Sequence, residues 1–354
     1  IIKHYIHMKL SGVQIEITSK CNFKCNFCPV SGQGDVFPMP SRKQIDDDKF
    51  HEIVDAVEDF NLNYFTLNFV GEPMAHPKIF EYMKYVVDKK LPLMLVTNGT
   101  LLNFDTFGKL NDSGVKRLKI SLQVADKDSF QESRGVKMEY ETYLNKIINV
   151  LLAKKKGLID SDIYIDLAFN NTYTPARKLF GLTSGDQHID NNINHFSQDI
   201  KILLEVMIEN NLFSLERLEK FSIKKEIKKF QKTVGPRVED RIFLQIIPGI
   251  NLSIKNFWDH FAHENNHPVK KVNCKPDKLV VDIEGNVTAC NRDVLQNTVI
   301  ANIYTDNILD TLKKLEHSID KISKGDSDFN YCRYCKGSTT KRGKVIRSLT
   351  DRFK

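Results

Sequence analysis

Residues 12–28 run Gly12-Val-Gln-Ile-Glu-Ile17, then Thr-Ser-Lys, then Cys21-Asn-Phe-Lys-Cys25-Asn-Phe-Cys28. The first six residues have strand character, and the cysteines follow at once, so the cysteine loop belongs at the C-terminal end of a strand. Thiolates are the usual protein ligands of iron–sulfur clusters, and a four-iron cluster held by three of them keeps one iron open. A zinc knuckle would need a fourth ligand from elsewhere in the chain.

Outward from that loop, short apolar runs recur at Tyr64–Phe69, Leu93–Thr97, Arg117–Leu122, Ile163–Ala168 and Ile242–Ile247. Between them, Asp46–Phe60, Pro77–Lys89 and Tyr140–Ala153 carry apolar residues at helical spacing, with Pro77 suited to a first helical position. Strands alternating with helices predict an α/β fold with a parallel sheet, right-handed crossovers and ligands at the C-terminal strand ends. Residues 170–240 break this rhythm with an Asn-rich stretch, helical segments and a basic patch at Lys224, Lys225, Lys228 and Lys229, read as a solvated helix face.

Polar motifs stand at the expected strand ends: Val70-Gly71-Glu72-Pro73, Thr97-Asn98-Gly99, Ser121-Leu122-Gln123 and, a little later, Arg134-Gly135. With the C-x-x-x-C-x-x-C loop and Phe27 before its last cysteine, they resemble the signature of the radical S-adenosylmethionine (SAM) superfamily. The resemblance implies a partial (β/α)6 TIM-like barrel, with Cys21, Cys25 and Cys28 holding a catalytic 4Fe-4S cluster. It also implies that Phe27, Gly71, Glu72, Pro73, Asn98, Ser121, Gln123 and Arg134 border the SAM. In this pattern backbone groups of the motif and Glu72 receive the methionyl ammonium and Arg134 the methionyl carboxylate, a planar anion that a guanidinium binds bidentately. Val70 replaces the first Gly of the family's GGEP motif.

The other cysteines, Cys274, Cys290, Cys332 and Cys335, make a second group of four. Chemically such a set accepts either zinc or a fully ligated iron–sulfur cluster. Lys278–Ile283, Glu284-Gly285-Asn286 and Val287–Cys290 read as a β-hairpin with a Gly-containing turn. Cys274-Lys-Pro276, Cys290-Asn-Arg-Asp293 and Ile300-Ala-Asn302-Ile303 resemble the SPASM and twitch extensions of radical SAM enzymes. That resemblance implies one auxiliary 4Fe-4S cluster in a small C-terminal β-hairpin/helix domain. The expected organisation is a core over 10–260 with a variable insertion at 170–240, the auxiliary-cluster unit over 261–340, and a basic tail over 341–354.

With 354 residues, 41% hydrophobic and 27% charged, the chain has enough apolar material for a large core, which excludes disorder as its main state. No segment approaches the ~18 apolar residues of a membrane span. Nothing in Ile1–Leu10 reads as a signal peptide, so the expected location is the cytoplasm, where an odd count of seven cysteines argues for metal ligation over disulfides. The net charge of +7 is spread along the chain; a nucleic-acid role resting on the tail Lys336–Lys354 is disfavoured because aromatic interleaving is absent apart from Phe353.

The family resemblance implies reductive SAM cleavage, with an electron donor such as flavodoxin or ferredoxin and an auxiliary cluster that assists oxidation or crosslinking. Peptide maturation is the first expectation for the substrate, and dehydrogenation or epimerisation of a carbohydrate or aminocyclitol is the alternative. All seven cysteines are allocated, so an epimerase with Cys as hydrogen donor is disfavoured. Asn256-Phe257-Trp258-Asp259-His260 is a candidate substrate-facing segment.

Overall fold

The computed structural model describes residues 6–25, 28, 40–135, 137–169, 193–227, 242–256, 268, 270–272, 274–291, 293 and 296–335. Phe27, Lys228, Lys229, residues 257–260 and the tail 336–354 lie outside the described residues.

Among the described residues, seven strands and seven α-helices build the N-terminal part. The strands are β1 (Gly12–Ile15), β2 (Tyr64–Thr66), β3 (Met94–Thr97), β4 (Arg117–Gln123), β5 (Asp162–Phe169), β6 (Ile242–Ile247) and β7 (Ile250–Asn256). The helices are α1 (Asp47–Val57), α2 (Ile79–Asp88), α3 (Phe104–Ser113), α4 (Lys127–Arg134), α5 (Tyr140–Lys155), α6 (Ile193–Glu209) and α7 (Leu215–Glu219). β1 runs parallel to β2, and β3, β4, β5 and β7 are parallel in that order. A parallel bridge between Phe65 and Leu93 joins the two sets. Six parallel strands thus follow one another with helices in the crossovers, the architecture of a partial TIM-like barrel, and β6 lies antiparallel against β7.

Alternation along β4 explains the layering. Leu118, Ile120 and Leu122 are fully buried, whereas Arg117, Lys119 and Ser121 on the opposite face are half-buried. On α5, Tyr143, Ile147 and Leu151 are fully buried. Burial at about 1.5–3 kcal/mol per large apolar side chain makes this helix a principal prop of the strand ends beneath it.

Helix starts follow local chemistry. Asp46 caps α1 by accepting from the backbone N–H groups of Asp48 and Lys49. The sequence placed Pro77 at the first position of a helix; α2 instead begins at Ile79, because Lys78 has φ −98° and ψ 20° and donates its N–H to His76 Nδ1. Upstream, Pro73–Ala75 form a 3-10 turn capped by Glu72.

The C-terminal unit contains β8 (Lys278–Val281), β9 (Asn286–Thr288), β10 (Ala301–Asn302), α8 (Ile308–Ser323) and α9 (Asn330–Cys335). β8 and β9 form the expected antiparallel hairpin, turning at Gly285 with φ +84°. β8 also pairs in parallel with β1 over four residues, so the hairpin extends the barrel sheet directly.

Candidate active site at the strand ends

Glu72 follows β2 and is buried. Its carboxylate accepts from Thr97 Oγ1 (2.6 Å), the Asn98 N–H (2.7 Å) and the Met74 N–H (3.1 Å), tying the β2 loop to the β3 loop. Burial pushes the carboxyl above the ordinary range while these donors pull it back down. The Glu72 N–H donates to Lys20 O at 2.9 Å, and a Cβ on Gly71 would lie 1.8 Å from Thr18 O. Glycine at 71 therefore lets this loop seat directly on the residues before Cys21.

Asn98 joins the same net. Its Nδ2 donates to Asn22 Oδ1 (2.8 Å), its Oδ1 accepts from both the N–H and the hydroxyl of Thr100, and Asn22 Nδ2 donates to Thr100 Oγ1. Tyr143 on α5 donates to Asn98 O at 2.9 Å. The β3 turn and the cysteine loop are thereby fixed to each other through Asn22, inside the cysteine motif.

Arg134, the last residue of α4, is buried and lies across the end of β4. Nη1 donates to Gln123 Oε1 (2.8 Å), Nη2 donates to Ser121 O (2.6 Å), and Nη1 lies 3.6 Å from Cys25 Sγ. The guanidinium also sits over the Phe23 ring at 4.8 Å, and Phe23 packs edge-on against Tyr143 and Phe130. Gln123 reaches Arg134 from a left-handed backbone (φ 66°) beside a register shift in the β4–β5 pairing. A bulge that re-aims a side chain at a site costs backbone strain, here offset by a charge-assisted bond. Gly135 closes the cap: its Cβ would meet Lys24 O at 2.2 Å.

Of the three N-terminal cysteines, Cys25 is buried, Cys28 is half-buried and Cys21 is exposed. The Cys28 N–H donates to Cys25 O, and the Phe23 N–H donates to Cys21 Sγ. Burial raises the Cys25 thiol against the pull of Arg134. Thiols held neutral by burial become ligands when a cation replaces the proton. Among the described residues no three His, Cys, Asp or Glu side chains gather as a site for a single ion. The donor chemistry, three thiols with the Arg134 guanidinium beside Cys25, fits an iron–sulfur cluster.

In the C-terminal unit, Cys274, Cys290 and Cys332 are half-buried, and Cys335 ends α9 with its side chain outside the described set. None of the six described thiols is joined in a disulfide. The loop after Cys290 is pinned by Asp293, whose fully buried carboxylate accepts from the N–H and Nδ2 of Asn297 and from the N–H and Oγ1 of Thr298.

Inside the barrel, in-register pairing aligns Val96, Lys119, Tyr164 and Asn251, and then Asp166 and Ser253, on one face. Lys119 Nζ lies 3.4 Å from Asp166 Oδ2, and Ser253 donates to the same carboxylate. Asn251 Oδ1 is buried with no hydrogen-bond partner among the described residues.

The sequence singled out Gly71, Glu72, Pro73, Asn98, Ser121, Gln123 and Arg134; the structure gathers all but Pro73 around the cysteine loop, and Pro73 opens the 3-10 turn that Glu72 caps. Asn22, Thr97, Thr100 and Tyr143 were not singled out, although Asn22 stands next to Cys21 and Thr97 opens the Thr-Asn-Gly turn.

Residues 15–165 match the model of the radical SAM superfamily. An AdoMet-dependent heme synthase of Methanosarcina barkeri is 32% identical over 129 residues, 36% of this chain and 36% of that protein. A GTP 3',8-cyclase of Sulfurovum sp. is 29% identical over 167 residues, 43% of this chain and 48% of that one. The chain thus spans less than half the length of these curated relatives. Among solved structures, SuiB of Streptococcus suis bound to S-adenosylmethionine superposes with a TM-score of 0.54 at 15% identity, over 97% of this chain and 75% of that one. SuiB bound to its precursor peptide SuiA gives 0.51 at 14% identity, over 94% and 77%. At such identity the likeness is one of fold.

Proposed function

We propose, from the premise that residues 15–165 are a radical SAM domain, that the chain is an enzyme that cleaves SAM at the strand ends described above and acts on a carbon of a bound substrate. Cys21, Cys25 and Cys28 would hold the SAM-binding 4Fe-4S cluster. When bound, such a cluster supplies the electron that cleaves SAM to methionine and a 5'-deoxyadenosyl radical, which takes a hydrogen atom from the substrate. The observation that carries this reading is the direct hydrogen-bonded closure of four strand ends on one another: Glu72 to Thr97 and Asn98, Asn98 to Asn22, and Arg134 to Gln123, Ser121 and Cys25.

In this reading each side chain has a task. Arg134 compensates the negative charge of a Cys25 thiolate and keeps the β4 end within reach of the SAM carboxylate. Glu72 fixes the loop whose backbone faces the SAM amino group, and Asn98, Ser121 and Gln123 border the ribose. Cys274, Cys290, Cys332 and Cys335 would hold an auxiliary 4Fe-4S cluster, an acceptor for the electron left on the substrate when the net reaction is an oxidation or crosslink. An external donor such as a flavodoxin or ferredoxin would reduce the first cluster.

For the substrate, peptide maturation is the first reading, in keeping with a SuiB-like fold. The polar barrel interior around Lys119, Asp166, Ser253 and Asn251 favours a second: a hydroxyl-rich carbohydrate or aminocyclitol, bound deep enough to hydrogen-bond Asn251 Oδ1.

The test is anaerobic reconstitution with iron and sulfide, then incubation with reductant, SAM and either a peptide or a small-molecule fraction from deuterium-grown cells. Mass spectrometry should find 5'-deoxyadenosine, with deuterium transferred from one fraction alone. Protein with intact clusters that forms no 5'-deoxyadenosine would overturn the reading.

A further inference from the structure

Glu16 follows the last residue of β1, five positions before Cys21, and is only 2% exposed. Its Oε1 accepts from the backbone N–H groups of Val70 (3.3 Å) and Gly71 (3.1 Å), and its Oε2 accepts from the Ile283 N–H (3.1 Å). One carboxylate thus joins three segments far apart in sequence. These are the strand that leads into the cysteine loop, the Gly71–Glu72 loop, and the β8–β9 turn that opens the stretch ending in Cys290. The Glu16 N–H is itself committed to Val281 O at 2.8 Å, so the side chain cannot follow one loop without pulling on the hairpin.

A second tie runs beside the first. Ser41 Oγ and the Arg42 N–H donate to the Glu284 carboxylate, Arg42 stacks over the Tyr304 ring at 3.8 Å, and the Asp46 N–H donates to Tyr304 OH. The chain after the cysteine loop therefore returns onto the same turn that Glu16 holds. Burying a carboxylate is expensive unless its oxygens are met by donors. An apolar residue would fill this space at less cost, but only a carboxylate offers two acceptor oxygens, one to each loop.

We propose that Glu16 is a positioning residue that couples the C-terminal thiol unit to the SAM-facing loop. A change at the β8–β9 turn, such as the loading or loss of a metal group on the unit's cysteines, moves the Ile283 N–H and through Glu16 the amides of Val70 and Gly71, and with them Glu72. The proposal rests on the reading of the Glu72 loop as the SAM-binding loop.

Glu16→Gln tests it, because a carboxamide has one acceptor oxygen and turns an N–H toward the other loop. Hydrogen exchange at residues 70–71 and 283, and SAM affinity by calorimetry, would be measured on reconstituted wild type, Glu16→Gln, Cys290→Ala and the double variant. The expected result is faster exchange at 70–71 or at 283 in Glu16→Gln and about tenfold weaker SAM binding, the loss of one bond to a charged group. In addition, Cys290→Ala should speed exchange at 70–71 in wild type but have no further effect in the Glu16→Gln background. Unchanged exchange and affinity in Glu16→Gln, or effects of the two substitutions that simply multiply, would overturn the coupling. Should Glu16→Gln fail to fold, Cys290→Ala alone decides, since coupling requires exchange at 70–71 to rise and independence leaves it unchanged. A wild type that binds no SAM would sink the SAM reading while the exchange data still judged the link.

Discussion

A methyl group at position 71 would collide with the backbone carbonyl of Thr18, which cannot yield as a flexible side chain would. Gly71→Ala is therefore expected to cost about 2 kcal/mol in urea unfolding, the usual scale of overpacking, and to push the Glu72 loop off the cysteine loop so that SAM binding is lost. Affinity unchanged alongside lowered stability would show that the loop relaxes without consequence. His76 gives a pH prediction. Its imidazole stacks on Tyr82, accepts from the Lys78 N–H, and is held down to about 4 by burial, so it must lose that burial or its neutrality to charge. A depressed pKa contributes stability that is full above pH 6.5 and falls away toward pH 4, on the order of 2 kcal/mol. Burial pushes Glu16 upward, against the pull of the three backbone N–H groups it accepts from. Comparing urea midpoints of wild type and His76→Gln at pH 7.5 and pH 4.5 isolates the imidazole, and a variant losing as much stability as wild type would contradict the assignment. The cysteines and Gly71-Glu72 were legible in the sequence because their spacing is local. The ties of Glu16 were not, since its partners lie 54 to 267 positions away.

Elements were readable where they are amphipathic and bounded by caps. Helical spacing over Asp46–Phe60 marked α1, and the short apolar run at Arg117–Leu122 marked β4. What the pattern could not reveal was the bulge that turns Gln123 into a left-handed conformation, because that geometry answers to Arg134, which belongs to the next helix. The same dependence on neighbours moved the start of α2 past Pro77. Element chemistry can be separated from site chemistry at α3. Asn103 and Thr106 form a reciprocal capping box that is exposed and has no bond to the cysteine loop among those of the described residues. Asn103→Ala should lower stability by about 1 kcal/mol in thermal or urea unfolding and leave SAM affinity at the wild-type value. A fall in SAM affinity would mean that α3 communicates with the β3 turn more directly than its bonds indicate.

At the scale of the molecule, the sequence led to the expectation of a barrel followed by a separate cysteine-bearing unit, and the barrel order was implicit in the alternation of strands and helices. The parallel pairing of β8 with β1 was not, because nothing local in Lys278–Val281 names its partner strand. That pairing makes the C-terminal hairpin an extension of the barrel sheet, with Asp293 fixing the loop after Cys290 independently of any metal. The hairpin should therefore stay folded when its thiols are removed. Cys290→Ala combined with Cys332→Ala is expected to reduce iron and acid-labile sulfide from about eight to about four per chain, the content of one four-iron cluster. The signature of the Cys21, Cys25 and Cys28 site in electron paramagnetic resonance should persist, and 5'-deoxyadenosine should still form from SAM. Elemental analysis gives the decisive alternative: wild type carrying about four irons and one zinc, with zinc lost in the variant, would make the second site structural. Such a site could not take an electron from the substrate, and oxidation would then need another acceptor.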